Sequence, residues 1–138
     1  MKIGVITDIH NNIEALNAVL DKFFSLGIRK IICSGDIIGI GPRPEETVKK
    51  IMPLRDSIEC VRGNHDNYLI NGIPNIVPLG CPGESINIAR AGVINISNEN
   101  IISEELNVTY DIKKVIEDIE DTQYPDFKNI LKYFYGIS

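Results

Sequence analysis

The chain opens on a short β-rich apolar run, Lys2 to Thr7, that ends in polar residues and reads as a strand. Asn11-Asn12 then offer caps for a helix whose apolar positions Ile13, Leu16, Leu20, Phe23 and Phe24 fall at helical spacing, and Gly27 ends it. A second apolar run, Ile31-Ile32-Cys33 within Arg29 to Ser34, leads into Gly35-Asp36. Pro42 and Pro44 break the chain before a helix from about Glu45 to Met52, which Pro53 helps to stop. Ser57 to Val61 forms a third strand, followed by Gly63-Asn64-His65-Asp66. Repeated strand and helix units favour a parallel sheet joined by right-handed crossovers. Asp8, Asp36 and Asn64 then lie just after strand carboxyl ends, where open α/β sheets form their ligand crevice.

The pattern changes beyond Tyr68. Gly72, Pro74, Pro78, Gly80, Pro82 and Gly83 mark a loop-rich connection around a short apolar segment, Asn75 to Leu79. Ser85 to Ser97 and Ile101 to Tyr110 read as an antiparallel hairpin about Asn98-Glu99-Asn100. Asp111 caps a helix with Ile112, Val115, Ile116 and Ile119 on one face, and a last helix after Pro125 presents Phe127, Ile130, Leu131 and Phe134.

At 138 residues, with 43% hydrophobic and 24% charged positions, the chain suits one folded domain, 1–138, and not a disordered segment. Its apolar runs fall short of the roughly 20 residues that cross a bilayer, so no membrane span is expected. The amino terminus carries no small-residue cleavage site, which makes the cytoplasm the expected location. A net charge of −5 supplies no basic stripe for nucleic acid, and an anionic phosphate substrate would need a cation to meet it. Cys33, Cys60 and Cys81 lack the paired spacings of a zinc ribbon, and Cys33 and Cys60 read as small buried hydrophobes.

Asp8-x-His10, Gly35-Asp36 and Gly63-Asn64-His65-Asp66 bring carboxylate, imidazole and amide oxygen to successive strand ends. Taken singly, Asp8 or His10 fits a surface turn or a helix cap, whereas their joint placement favours a metal site; Asn12 fits an N-cap better than a phosphate contact. With the flanks Asp8-Ile9-His10-Asn11-Asn12, Cys33-Ser34-Gly35-Asp36-Ile37-Ile38-Gly39 and Gly41-Pro42-Arg43-Pro44, the chain resembles the small bacterial and archaeal branch of the calcineurin-like metallophosphoesterases. The resemblance implies an α/β fold: a reduced αββα sandwich with parallel amino-terminal strands plus a carboxyl-terminal hairpin and helices. It also implies hydrolysis of a phosphodiester by a metal-activated water, with one or two divalent ions such as Mn2+ or Ni2+. In that arrangement Asp8 and His10 bind a first ion, Asp36 bridges, and Asn64 gives its amide oxygen to a second. His65 faces the substrate as general acid or transition-state stabiliser, Asp66 orients the His65 ring, and Asn12 touches the phosphate.

The family supplies a further histidine after this motif and two more in a G-H-x-H motif, but this chain has two histidines in all, His10 and His65. Cys81-Pro82-Gly83-Glu84-Ser85, Val108-Thr109-Tyr110-Asp111-Ile112 and Leu131-Lys132-Tyr133-Phe134-Tyr135-Gly136 resemble the family's closing turn, strand and helix. The expectation is a domain without its central segment, with apolar surface uncovered and a homodimer covering it. The alternative is a catalytically inactive metal- or ligand-binding regulatory protein on the same scaffold.

Overall fold

Ile13, Leu16, Leu20 and Phe23 form the buried stripe of a helix that runs Ile13–Ser25. Asn12 starts it by accepting the Ala15 amide at 3.0 Å on its side-chain oxygen, and Gly27 follows its end with a φ of +74° that suits glycine. In a computed structural model that describes residues 1–71, 87–123 and 126–137, this helix is the second element. The described strands are β1 (Lys2–Ile6), β2 (Lys30–Cys33), β3 (Ile58–Cys60), β4 (Ile88–Ile96) and β5 (Ile101–Thr109). The described α-helices are α1 (Ile13–Ser25), α2 (Pro44–Ile51), α3 (Asn64–Asn71), α4 (Ile112–Asp121) and α5 (Phe127–Tyr135), with a 3-10 turn at Met52–Leu54 after α2.

The strands make one five-stranded mixed sheet in the order β3-β2-β1-β4-β5. β1, β2 and β3 run parallel, in register at Ile6 with Cys33 and at Cys33 with Cys60. The hairpin extends the same sheet, because β4 pairs antiparallel with β1 and then turns from Ile96 to Ile101 into β5. This is the mixed α/β fold expected, with the hairpin strands placed close to their sequence bounds. The loop-rich connection, Cys81 and the Cys81 to Ser85 turn lie outside the described residues.

Strand alternation sorts the apolar residues between two faces. Ile6, Ile31, Cys33, Ile58, Ala91 and Val93 turn toward α1 and join its stripe in the main core. Ile3, Val5, Ile94 and Ile96 alternate onto the opposite face, where they are partly buried and Ile32 is exposed. A second cluster, Val115, Ile119, Ile130 and Leu131, joins α4 to α5 and takes in Ile40 and Tyr110. Two expectations change. The Asn64 segment opens an α-helix, α3, where the apolar pattern marked none, and Cys60 is exposed although Cys33 is buried. Among the described residues no helix is long and apolar enough to cross a membrane.

The packing of α1 on β1 leaves no volume at Gly4, where a Cβ would stand 2.5 to 2.8 Å from three atoms of the fully buried Phe23 ring. Gly4→Val is expected to destabilise the protein by about 1–3 kcal/mol through overpacking, read as a lower urea midpoint at unchanged slope.

Candidate metal centre at the strand ends

β1, β2 and β3 each end in a loop that carries candidate ligands, and main-chain hydrogen bonds lace the first two loops together. The amides of Asp8, His10 and Asn11 donate to the carbonyls of Gly35, Asp36 and Ile37 at 3.1, 3.0 and 3.2 Å. To run alongside the second loop in this way, Asp8, His10, Asn11 and Asp36 take positive φ values of 54°, 45°, 62° and 53°. Non-glycine residues rarely adopt that region, and each instance costs on the order of 1 kcal/mol unless its surroundings enforce it. Strain of this kind concentrates where a chain must aim side chains.

The β2 and β3 loops meet still more closely. Gly35 has φ +104°, and a Cβ on it would collide with the backbone of Gly63; a Cβ on Gly63 would in turn collide with the Asp36 carboxylate. Both glycines are therefore required by close approach. Asp66 locks the contact: its Oδ2 accepts the amides of Asp36 and Gly63 at 2.8 and 2.9 Å, and its Oδ1 those of Ile37 and Ile38 at 3.0 and 3.2 Å. Burial alone would raise the Asp66 carboxyl, but these four amides outweigh it and hold its pKa below the usual carboxylate value.

The result is a cluster in which one ligand atom from each of His10, Asp36 and His65 lies within 4.8 Å of the others. Asp36 is buried, its Oδ1 accepts the His65 amide at 2.8 Å, and its Oδ2 lies 3.8 Å from His65 Nδ1. The two imidazoles meet edge to face with centroids 4.6 Å apart. Asp8 stands at the rim, its Oδ1 3.5 Å from His10 Nε2 and its Oδ2 accepting the Thr7 hydroxyl at 2.6 Å. Asn64 is the exposed first residue of α3.

The donor set fits a divalent ion. Buried Nδ1 atoms of both His10 and His65 have no hydrogen-bond partner, an arrangement that is costly without a ligand. Burial lowers the His10 pKa, and the neighbouring His65 lowers it further against the opposing pull of Asp36 and Asp8. The imidazole is thus held neutral, the form that ligates. Two imidazoles with carboxylate oxygen suit borderline first-row ions.

One side chain does other work than expected, and Asn12 does the capping work its place in the sequence suggested. The recorded hydrogen bonds of Asp66 go to main-chain amides and not to the His65 ring. Asn12 caps α1 through its oxygen and is also a hydrogen-bond partner of the Tyr110 side chain. One residue escaped the sequence reading as a site residue: Asn11 is 2% exposed and donates its side-chain amide to the carbonyls of Gly39 and Gly41 at 2.8 and 2.9 Å. That pair of bonds folds the Gly39–Gly41 segment over His10, where a Cβ on Gly39 would collide with the imidazole. Its signal was the doubled Asn11-Asn12, whose first asparagine serves a positive-φ corner and not a second cap.

Asp66→Ala removes four bonds at once and is expected to cost about 2 kcal/mol or more. Since the folded-state pKa is depressed, this contribution is complete above about pH 4 and disappears as pH falls through the lowered value. Urea titrations of both proteins at neutral and acid pH should therefore converge on acidification.

A family model for calcineurin-like phosphoesterases matches residues 1–133. An uncharacterized protein of Methanocaldococcus jannaschii is 53% identical over 64 residues, which is 46% of this chain and 26% of the relative. A symmetrical bis(5'-nucleosyl)-tetraphosphatase of Pseudomonas fluorescens is 36% identical over 64 residues, 46% of this chain and 23% of that protein. The match thus spans about a quarter of the length of these relatives. A hypothetical protein of Pyrococcus horikoshii shares the fold over 99% of both chains at a TM-score of 0.77 and 15% identity. With the motif geometry and a match over nearly its whole length, the chain belongs to the calcineurin-like phosphoesterase family.

Proposed function

We propose that the protein hydrolyses phosphodiester bonds at this centre with a divalent ion, Mn2+, Ni2+ or one of similar chemistry, over a single domain spanning 1–138. The observation that carries the reading is the convergence of His10, Asp36 and His65 with two buried, unpartnered imidazole nitrogens. Asp8, His10 and Asp36 would hold the ion, and Asn64, at the start of α3, would offer its amide oxygen to a second. When bound, such an ion lowers the pKa of water and polarises a phosphoryl oxygen.

The remaining work falls to the chain. Asp36 keeps Oδ1 on the His65 amide, which leaves Oδ2 as its freer ligand oxygen and fixes the start of α3. His65 would hand a proton to the leaving oxygen, a role supported by its ring standing beside Asp36 and being partly solvent-accessible. Asp66 serves as a positioning residue that sets the distance between the Asp36 and His65 loops through their backbones. Asn12, whose oxygen serves the cap, would meet a phosphate only through its side-chain NH2.

A second reading has its own support: both histidines already stand in one cluster, so a non-catalytic ion-binding protein needs no further residue. Turnover of bis-p-nitrophenyl phosphate, and of diadenosine tetraphosphate because of the activity named for a relative, separates the two. Added Mn2+ or Ni2+ is expected to support turnover that EDTA abolishes, and Asp36→Ala to lower kcat/KM by roughly a hundredfold or more. His65→Ala should lower kcat by a similar factor while Mn2+ still raises the melting temperature. Ion-dependent stabilisation without turnover of either substrate selects the non-catalytic reading.

The protein is further proposed to act in the cytoplasm as a homodimer, a second copy covering the apolar sheet face of Ile3, Val5, Ile32, Ile94 and Ile96. Light scattering at micromolar protein should give twice the 15.4 kDa chain mass, and a stable monomer defeats this part.

A further inference from the structure

Cys33 ends β2 and Cys60 ends β3, and the two are direct partners across the parallel pair. Neighbouring strands stand roughly 4.8 Å apart, inside the span of about 4.4–6.8 Å over which paired Cα atoms accept a disulfide. Each thiol perturbs the ionisation of the other. Access is asymmetric: Cys60 is exposed, while Cys33 is fully buried behind it. One sulfur is thus open to reagents in solution, and the second is held where it can resolve whatever the first picks up.

We propose that Cys33 and Cys60 are a dithiol pair that a small-molecule disulfide closes to an intrachain disulfide, stapling β2 to β3 beneath the loops of Asp36 and His65. The Cys60 thiolate attacks the reagent RS–SR, forming a mixed disulfide and releasing one thiolate. The Cys33 sulfur then attacks the Cys60 sulfur, and the second thiolate leaves. Both cysteines are oxidised, one reagent disulfide is reduced to two thiols, and the two cysteine protons end on those thiols. Burial pushes the Cys33 thiol up to about 11 and raises Cys60 as well, so closure quickens with rising pH.

The position gives the staple a consequence. Gly35 follows Cys33 by two residues and Gly63 follows Cys60 by three, and these glycines pack backbone against backbone with no space for a Cβ. Asp66 bonds amides in both loops. Pinning the strand ends therefore restrains the unit that carries Asp36 and His65, whether or not that unit turns over a phosphoester.

The test uses the full chain with Cys81→Ser, so that the third thiol takes no part. Incubation with oxidised glutathione should remove two hydrogens from the intact mass and give a peptide linking Cys33 to Cys60. The melting temperature should rise by roughly 5 °C or more, as closing a loop of this length stabilises a small domain. Hydrogen exchange at the amides of Asp36, Ile37 and Ile38 should slow by about tenfold. In the further variant Cys33→Ala, a glutathione adduct should persist on Cys60. A stable Cys60 adduct with Cys33 present overturns the proposal. So does a linked peptide with unchanged exchange at the three amides, since the staple would then not reach the loops.

Discussion

A single carboxylate joins the two loops that carry most of the candidate ligands: Asp66 takes the amides of Asp36, Ile37 and Ile38 from one and that of Gly63 from the other. Those donors have no strand partner at that point, and a buried amide without an acceptor costs about 1–3 kcal/mol. The carboxylate answers four of them with two oxygens. Its cost is that Gly35 and Gly63 must come into contact, which no larger residue permits. Once that contact is made, Asp36 Oδ1 lies under the His65 amide, and the Asp36 carboxylate and the start of α3 are fixed relative to each other. The third loop is set against this unit by the bonds from Asp8, His10 and Asn11 to Gly35, Asp36 and Ile37. The unfavourable φ values of Asp8, His10 and Asn11 are thus enforced by hydrogen bonds their neighbours could not otherwise complete.

The carboxyl-terminal elements, remote in sequence from every candidate ligand, hold the outer wall of the site. Ile40 packs into the α4–α5 cluster, while Asn11 bonds to Gly39 and Gly41 on either side of it. Arg43 pairs with Asp118 of α4, and Lys114 pairs with Glu14 of α1 at 2.5 Å. Tyr110, at the end of β5, bonds the cap of α1 at Asn12. The segment over His10 is therefore clamped between α1 and α4. A chain that stopped after α3 would keep Asp36 and His65 together but lose the wall that excludes water from the His10 ring.

Periodicity made much of this fold legible because the apolar stripe of α1 and the alternation of the strands answer to one buried surface. Asp111 read as a cap is a cap, accepting the amides of Lys113 and Lys114. The strand-end positions of Asp8, Asp36 and Asn64 followed from the same alternation. What escaped was set by contacts between loops. α3 carries no apolar stripe that a sequence reading could use, and its start is specified by Asp36 accepting the His65 amide, a bond across 29 positions. Asn11 looked like half of a capping pair, since positive φ leaves no mark in composition. Cys60 looked buried because its neighbours are apolar, yet β3 is a sheet edge and that end of it is open to solvent.

The donors that remain bound the chemistry. Both imidazoles of the chain stand in one cluster with Asp36, and Asp8 at the rim offers oxygen alone. An ion at His10 and Asp36 meets mixed nitrogen and oxygen ligands and falls in the borderline class. An ion beside Asn64 would have Asp36 and amide oxygen, with its other positions met by water or by the phosphate itself. Under the proposed hydrolysis, affinity at that second position would depend on substrate, since the anion would supply ligands that the chain does not. The −5 net charge acts in the same direction, because a phosphate approaching this surface is repelled until cation and carboxylates are matched. Ion and substrate should for that reason bind with mutual reinforcement at the Asn64 side and nearly independently at the His10 side.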